Sequence, residues 1–274
     1  MKVLVTGANG MLGQDLCPAL EDYGYEVIET DIDNLDITNE IAVRKFIKDE
    51  KPEMVIHCAA YTDVDGAEKE FDKALLINEK GTENIAKACS SIDIPLVYIS
   101  TDYVFDGEKK SPYTTNDKPN PINKYGLSKL KGEEAVISHC PKFYIVRTSW
   151  LYGHHGKNFV EKIISLKDNQ ELKVVDDQIG SPTWTMDFVE ALVDIIEEEP
   201  YGIYHISASG ATSWFDFAKE IFKLIGEKVN LVSCTSEELD REAKRPKYSV
   251  LDSDNCCRDW KLALKDYLSL RSDE

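Results

Sequence analysis

Short apolar runs alternate with longer amphipathic stretches along residues 1–150. The apolar runs lie at 2–6, 26–30, 54–57, 96–100 and 143–146. Helical patterns begin near Met11, Glu40, Phe71 and Pro121. Strands that alternate with helices form βαβ units, and parallel strands that are buried on both faces are continuous apolar runs. The pattern therefore predicts an α/β fold with a doubly wound parallel sheet.

The alternation becomes less regular after Trp150. We predict helices at 158–167, 185–198, 213–225 and 263–270, and strands at 172–175 and 204–206. Ser213 stands where the third of these helices needs an N-cap. No internal repeat or low-complexity linker separates the two regions. We expect a first domain over 1–150 and a smaller, interwoven lobe over 151–274, with part of 170–200 returning to the sheet of the first domain.

The composition narrows the classes of partner. The formal net charge of −18 argues against binding to nucleic acid or to an anionic membrane surface. No apolar run is long enough to cross a bilayer, and the apolar segment at 1–5 is too short for a signal peptide. The seven cysteines are odd in number and show no C-x-x-C spacing, which is typical of reduced thiols. We expect a cytoplasmic protein that binds neither nucleic acid nor membrane.

A glycine-rich turn follows the first predicted strand directly, with Gly7, Gly10 and Gly13 at steps of three. A strand, a tight turn and a helix present backbone N–H groups and the positive helix end to a pyrophosphate. The spacing differs from the G-x-G-x-x-G of most dehydrogenases. We nevertheless predict that 1–150 is a Rossmann-type NAD(P)-binding domain. Further expected cofactor contacts are Asn9, Met11 and Leu12 in the turn, and Ala59, Ala60, Tyr61 and Thr62 after the third strand.

Acidic residues at the end of the second strand bear on the choice of cofactor. Asp31 lies about where an acid hydrogen-bonds the adenosine ribose. A 2′-phosphate would be repelled there, and the glycine turn offers no Arg or Lys to pair with it. We therefore favour NADH over NADPH. Asp36 and Ile37 follow in a loop where they could hold the adenine, although Asp36 could equally serve as a turn or cap residue.

Tyr125 and Lys129 are four residues apart in a predicted helix, so they share one face. Reduction of a ketone leaves an alkoxide that must be protonated. Tyr125 would be the general acid, Thr101 would hold the carbonyl oxygen, and Lys129 would lower the tyrosine pKa and bind the nicotinamide ribose. Lowering the pKa of a phenol from about 10 to about 7 takes roughly 4 kcal/mol. One ammonium at about 4 Å supplies about that much interaction energy at an effective dielectric constant of about 20. Thr101 could alternatively be only a strand-end turn hydroxyl.

Several motifs resemble those of a known family. Gly7-x-x-Gly10-x-x-Gly13, Ser100-Thr101-Asp102-Tyr103-Val104-Phe105 and Tyr125-x-x-x-Lys129 resemble the extended short-chain dehydrogenases/reductases. Other motifs are similar to the dTDP-4-dehydrorhamnose reductase family within that group: Ala59-Ala60-Tyr61-Thr62-x-Val64-Asp65-x-Ala67-Glu68, Arg147-Thr148-Ser149-Trp150, Asp177-Gln178-x-Gly180-x-Pro182-Thr183 and Arg245-Pro246. The resemblance covers nearly the whole chain.

The resemblance implies an NAD(P)H-dependent reduction of the 4-keto group of dTDP-4-dehydro-6-deoxy-L-mannose to dTDP-L-rhamnose, a step towards cell-surface polysaccharide. It also implies substrate contacts at Thr101, Asp102, Tyr103 and Trp150. Tyr103 stands where related 4,6-dehydratases carry an acid, which disfavours elimination chemistry.

Some reductases of this type form dimers around a magnesium ion. Asp15 could match one acidic ligand, but Met186 stands where the second acid is expected, and a thioether is a poor ligand for Mg²⁺. We expect no metal. A monomer is favoured, with a dimer as the alternative.

One basic segment stands out on this acidic chain. Residues 241–247 carry four cations, and we expect Arg245 to clamp the substrate diphosphate as a bidentate donor. The alternative is a solvated segment whose charges pair with neighbouring acids. Two other functions also stay open: a reductase or epimerase of another nucleotide-linked 4-keto-deoxysugar, and a non-catalytic regulatory subunit with the same fold.

Overall fold

The computed structural model describes residues 1–253 and 257–271. Strands and helices alternate through the first part of the chain in this order: β1 (Lys2–Thr6), α1 (Met11–Asp22), β2 (Glu26–Thr30), α2 (Glu40–Glu50), β3 (Met54–His57), α3 (Val64–Lys69), α4 (Phe71–Leu75), a π-helical turn (Leu76–Gly81), α5 (Thr82–Ser91), β4 (Leu96–Thr101), a 3₁₀ turn (Asp102–Val104), α6 (Lys124–His139) and β5 (Phe143–Thr148).

The second part contains shorter strands between its helices: β6 (Leu151–Tyr152), α7 (Phe159–Ser165), β7 (Leu172–Val175), β8 (Ile179–Gly180), β9 (Thr183–Trp184), α8 (Thr185–Glu198), β10 (Gly202–His205), β11 (Ala208–Ser209), β12 (Thr212–Ser213), α9 (Trp214–Leu224), β13 (Leu231–Cys234), a 3₁₀ turn (Glu237–Leu239), β14 (Cys257–Asp259) and α10 (Trp260–Arg271). Four two-stranded pairings hold these elements together: β6 with β9, β7 with β13, β8 with β12 and β11 with β14.

The central sheet has six strands in the order β10-β5-β4-β3-β1-β2, and every neighbouring pair is parallel. The chain moves outwards from β1 to β2 and then returns to place β3 on the other side of β1. That reversal opens a crevice beyond the carboxyl ends of β1 and β3, where doubly wound sheets bind their ligands. The predicted parallel sheet is confirmed.

The sheet also recruits chain from beyond residue 150. Helix α8 packs through Phe188, Val189 and Leu192 onto the same buried cluster as β1 and α1, and β10 pairs with β5 as the sixth strand. The sequence analysis places the return within 170–200. Helix α8 lies in that range, whereas the strand that joins the sheet is 202–205. A separate buried cluster around Tyr152, Trp184, Phe217 and Trp260 forms the core of the second lobe.

Some element boundaries differ from the sequence predictions for physical reasons. The predicted helix near Pro121 begins at Lys124, because the side chain of Asn123 accepts a hydrogen bond from the N–H of Gly126 and caps it there. Helix α3 was not predicted; Asp63 caps it by accepting from the N–H of Gly66. The predicted Ser213 cap of α9 is confirmed, since its side chain accepts from the N–H of Asp216. Within the described part of the chain, no helix is long and apolar enough to cross a membrane.

Candidate active site

A cavity of about 960 Å³ opens beyond the carboxyl ends of β1, β3 and β4. Its lining includes fourteen of the fifteen residues predicted to hold the cofactor: Gly7, Asn9, Gly10, Met11, Leu12, Gly13, Asp31, Asp36, Ile37, Ala59, Ala60, Thr62, Tyr125 and Lys129. Three of the five residues predicted to bind substrate also line it: Thr101, Asp102 and Trp150. The parallel sheet brings these side chains to one edge although their positions span most of the first 150 residues.

The glycine turn at the start of α1 is closely packed against β3 and against itself. Gly7 has a φ of +72°, and a Cβ there would lie 2.6 Å from the backbone nitrogen of Ala59. A Cβ on Gly13 would lie 2.5 Å from the carbonyl oxygen of Ala8. Both positions therefore require glycine, the first also for its left-handed backbone. The turn leaves room for a ligand close to the backbone of the helix end.

The amino terminus of α1 suits an anion. Gly10 is the N-cap, no side chain accepts from the first N–H groups, and the first turn carries no acidic residue. Unpaired N–H groups and the helix dipole together favour a phosphate at such a position. The residues present therefore fit the pyrophosphate of a dinucleotide.

The predicted adenosine end lies at the far side of the same cavity. The Asp31 carboxylate accepts from the backbone N–H groups of Asn9 (3.0 Å) and Ile32 (2.7 Å), which fixes its position beyond β2. Asp36 closes a turn by accepting from the N–H and hydroxyl of Thr38. Asp36 thus has the turn role that the sequence left as an alternative, while it also lines the cavity.

Tyr61 is the predicted cofactor residue that does not line the cavity. Its hydroxyl donates to Glu70 at 3.1 Å, and its N–H donates to the side-chain oxygen of Asn78 at 2.8 Å. Asn78 is buried and also donates to the hydroxyl of Ser128 on α6 at 2.8 Å. The sequence analysis missed Asn78, which joins the loop after β3 to the helix that carries Tyr125 and Lys129.

The three predicted catalytic side chains meet at the cavity. Thr101 ends β4, and Tyr125 and Lys129 lie in the first two turns of α6. A Cβ on Gly126 would lie 2.9 Å from the carbonyl carbon of Tyr103 and closer still to its oxygen, so only glycine lets α6 approach the turn after β4 this closely. Gly126 is therefore the residue that brings Tyr125 beside Thr101.

Burial controls the protonation of these groups. It raises the pKa of the Tyr125 phenol to about 12, against a smaller lowering by the Thr101 hydroxyl. It lowers the pKa of the Lys129 ammonium to about 7, opposed by the charge of Glu133. The prediction that Lys129 lowers the pKa of Tyr125 is wrong for the protein without ligands, because burial dominates and Lys129 itself gives up charge near neutral pH.

Lys129 is 3% exposed, and its Nζ lies 4.2 Å from the centre of the Tyr98 ring. Below it, Glu133 accepts from the Ser100 hydroxyl at 2.5 Å and forms a two-bond ion pair with Arg147. Both side chains of that pair are 2% exposed. Removing one partner of such a buried ion pair strongly destabilises the fold, because the other charge is left buried without compensation. Here the pair holds β5 against α6, the helix that carries Lys129.

Asp102 and Tyr103 follow Thr101 in a 3₁₀ turn. Asp102 is 3% exposed, and burial raises the pKa of its carboxyl to about 7. Its Oδ1 accepts from the Thr101 hydroxyl at 3.0 Å, and the Ser249 hydroxyl also hydrogen-bonds to the carboxylate. Tyr103 does not line the cavity; its ring meets the edge of Tyr125 with centroids 5.9 Å apart. The expected substrate contact of Tyr103 is therefore not part of this cavity.

Arg245 also lies outside the cavity lining, and its guanidinium is already engaged. It donates to both carboxylate oxygens of Asp65, at 2.9 and 2.8 Å, and to the carbonyl of Ala243 at 2.7 Å. The side chain is 10% exposed. The pairing with an acid matches that part of the alternative in the sequence analysis, although the Arg245 side chain is largely buried and not solvated, and it ties 243–245 to α3.

Trp150 lines the cavity with a backbone that is unusual for a bulky residue, at a φ of +49°. Such residues persist only where the surroundings hold them, and they cluster at functional sites. Lys157 also lines the cavity. The sequence analysis missed this cation, because nothing in its local pattern shows that the loop after β6 passes beside the glycine turn.

No group of three or more His, Cys, Asp or Glu side chains within 1–253 and 257–271 could hold a metal ion. Asp15 accepts a short hydrogen bond from the Thr185 hydroxyl, and its Oδ1 lies 3.5 Å from Nε2 of His155. Met186 packs against the core of the second lobe.

Comparisons with known proteins agree with this geometry. A family model described as RmlD substrate binding domain matches residues 1–270. The chain is 44% identical to the spore coat polysaccharide biosynthesis protein SpsK of Bacillus subtilis, over 99% of this chain and 98% of that protein.

Two solved structures are similar over nearly their full lengths. A dTDP-4-dehydrorhamnose reductase from Clostridium acetobutylicum is 48% identical, with a TM-score of 0.97 over 99% of this chain and 100% of that one. A dTDP-4-dehydrorhamnose reductase from Bacillus anthracis in complex with NADP is 43% identical, with a TM-score of 0.95 over 98% of this chain and 99% of that one.

Proposed function

This chain belongs to the RmlD substrate binding domain family, and we propose that it reduces the 4-keto group of dTDP-4-dehydro-6-deoxy-L-mannose to give dTDP-L-rhamnose. The observation that carries the proposal is the convergence of Thr101, Tyr125 and Lys129 on the cavity that the glycine turn of α1 also lines. Bound NADH or NADPH supplies the hydride for the keto carbon. Side chains of this protein donate the proton, orient the keto group and bind the cofactor.

Tyr125 is the proton donor in this mechanism. Its phenol is protonated at neutral pH, since burial raises its pKa to about 12. A reduction needs the protonated form, because the keto oxygen gains charge as the carbon is reduced. Burial also makes the phenol a weaker acid, and the charge that develops on the keto oxygen makes proton transfer from Tyr125 easier as the reaction proceeds.

Thr101 and Asp102 hold the keto group and its neighbours. The Thr101 hydroxyl, which donates to Asp102 at 3.0 Å, turns to donate to the keto oxygen. The Asp102 carboxylate, to which the Ser249 hydroxyl also hydrogen-bonds, is then an acceptor for a sugar hydroxyl. Trp150, which also lines the cavity, supplies an apolar surface for the sugar ring.

Lys129 binds the ribose next to the nicotinamide and brings positive charge to the reacting oxygen. The pKa of its ammonium, about 7 in the free protein, rises when an anionic dinucleotide enters, because the bound phosphates favour the charged form. The charged Lys129 therefore lowers the pKa of Tyr125 when the dinucleotide is bound. The expectation from the sequence made no distinction between the free and the cofactor-bound protein.

A panel of nucleotide-linked 4-keto sugars tests the proposal. The purified protein is given each sugar with NADH and, separately, with NADPH, and consumption of reduced cofactor is followed together with the product. We expect dTDP-4-dehydro-6-deoxy-L-mannose to give the highest kcat/KM and dTDP-L-rhamnose as product. A clear preference for another 4-keto-deoxysugar would favour the alternative reductase. Absence of cofactor oxidation with every sugar would favour a regulatory subunit.

The cofactor preference, the oligomeric state and the location are parts of the same proposal. We propose NADH as the preferred cofactor because of Asp31, and a monomer because Met186 replaces an oxygen ligand and Asp15 is engaged by Thr185. We propose a cytoplasmic enzyme. Sedimentation with and without Mg²⁺ tests the monomer, and a magnesium-dependent shift to twice the mass would overturn it.

A further inference from the structure

Trp150 forms a close aromatic pair with Trp214 on the wall of the cavity. The two rings are stacked with centroids 3.5 Å apart and planes inclined by only 7°. Aromatic rings prefer offset or edge-to-face arrangements to nearly superimposed faces. The pair is therefore held by its surroundings, and one face of the Trp150 indole is covered by Trp214.

Gly180 leaves the space into which the edge of the same indole fits. A Cβ on Gly180 would lie 2.7 Å from Cζ2 and Nε1 of Trp150, and closer still to Cε2. Gly180 does not have a positive φ, so its backbone conformation does not require glycine. The requirement for glycine comes from the indole alone.

A short ladder places Trp214 and Gly180 together. Strand β12 pairs antiparallel with β8, with Thr212 opposite Gly180 and Ser213 opposite Ile179. Trp214 is the next residue along the chain and opens α9 under the Ser213 cap. The pairing of these two short strands therefore sets both surfaces against which Trp150 rests.

The second lobe fixes the other side of Trp214. Phe159 lies 4.4 Å from Trp214 between ring centroids, and it stacks on Phe217 at 5.5 Å. Phe217 is fully buried in the core of that lobe. A continuous series of packed aromatic rings thus runs from the core of the second lobe to the wall of the cavity.

We propose that Trp214 and Gly180 are positioning residues for the sugar: they hold the Trp150 indole in the one pose that leaves its remaining surface available to the substrate. This inference rests on the proposed function for the identity of the ligand. A fixed aromatic wall suits the apolar face of a 6-deoxysugar, because an immobile ring loses no side-chain entropy when the ligand binds.

The test uses two independent variants and two matched controls. Gly180→Ala displaces the indole without removing a ring, and Trp214→Leu removes the stacking partner. Gly202→Ala is the glycine control, since its Cβ would meet nothing closer than 3.6 Å. Phe215→Leu is the aromatic control, because Phe215 lies in the same first turn of α9 and packs against the same lobe.

Three measurements are made on the full chain: circular dichroism, binding of dTDP-L-rhamnose by calorimetry and binding of NADH by calorimetry. Two closely stacked indoles give an exciton couplet that reports their relative pose. We expect Gly180→Ala and Trp214→Leu to lose or reshape the couplet and to bind dTDP-L-rhamnose at least about tenfold more weakly, with NADH affinity within about twofold of wild type. Both controls should keep the couplet and both affinities.

Three results would overturn the inference. A couplet unchanged in Trp214→Leu would show that the rings are not stacked in solution. A lost couplet with unchanged sugar affinity would show that the pose is irrelevant to binding. A parallel loss of NADH affinity would show a general effect on the fold. If wild type keeps the couplet but does not bind dTDP-L-rhamnose, the proposed function fails and so does the sugar-positioning role, while the stacking itself stands.

Discussion

The proposed cofactor side and the proposed sugar side of the cavity are built in different ways. The cofactor side consists of backbone N–H groups at one helix end and of glycines within seven residues of each other, at 7–13. The proposed sugar side is assembled from distant parts of the chain, because Trp150 rests on Gly180 and Trp214, and outside the cavity Arg245 ties its segment to Asp65. The first side follows from local backbone geometry, whereas the second depends on how two lobes pack together.

The largest effect should come from the residue at which the two sides meet. Tyr125→Phe keeps the ring and its edge contact with Tyr103 but removes the proton donor. We expect kcat to fall by about three orders of magnitude, with NADH and sugar affinities nearly unchanged. Rapid mixing under single-turnover conditions separates the chemical step from binding. Turnover within about tenfold of wild type would remove Tyr125 from the role of acid.

A change confined to the cofactor side should spare the sugar. Gly13→Ala places a methyl group 2.5 Å from the carbonyl oxygen of Ala8, so the turn must open and the helix end must move. We expect NADH affinity to fall by about a hundredfold and dTDP-L-rhamnose affinity to stay within about twofold. Calorimetry with each ligand alone makes the comparison, and equal losses of both affinities would contradict the separation of the two sides.

A change in the segment that Arg245 ties to α3, outside the cavity, should spare the cofactor. Arg245 holds its segment through Asp65, so Arg245→Ala and Asp65→Asn should both raise the KM for the nucleotide sugar, by about tenfold, and leave NADH affinity unchanged. If each single substitution and the double substitution raise KM by the same factor, Arg245 and Asp65 act as one unit. If Arg245 instead bound the diphosphate directly, Asp65→Asn would release it and would leave KM unchanged or lower it.

The smallest effect should be a pH dependence of cofactor binding. The pKa of Lys129 is lowered to about 7, so its ammonium is charged below that pH and is lost as the pH rises through it. We expect NADH affinity to fall several-fold between about pH 6 and about pH 9, and Lys129→Met to bind more weakly with a flatter profile. Asp102, whose pKa is raised to about 7, would repel the dinucleotide over the same range. Asp102→Asn is therefore the control, and it should keep most of the dependence.

The sequence is sufficient for the features that depend on neighbouring residues. Continuous apolar runs identify β1, β3, β4 and β5, because these strands are buried on both faces of the sheet, whereas the edge strand β2 is partly exposed. The glycine turn and the Tyr125–Lys129 pair are equally local, and Thr101 follows from its place at the end of β4. The glycines of the turn, Tyr125, Lys129 and Thr101 all line the cavity.

The features that the sequence does not reveal depend on contacts between distant residues. Asp65 and Arg245 are 180 positions apart, so nothing near Arg245 shows that its charge is already paired. Trp214 and Trp150 become neighbours only through the pairing of β8 with β12. The lowered pKa of Lys129 reflects its burial in the folded protein and not the four-residue spacing from Tyr125. For the same reason, the expected effect of Lys129 on Tyr125 was wrong for the ligand-free protein.

The most direct test of the central claim follows the hydride itself. Wild-type protein is incubated with dTDP-4-dehydro-6-deoxy-L-mannose and NADH that carries deuterium at the transferable position of the nicotinamide, and the product is examined by NMR. The account predicts dTDP-L-rhamnose with deuterium at C4 of the sugar, formed in step with NADH oxidation. Recovery of the ketosugar with NADH intact, or deuterium at any other carbon, would contradict it.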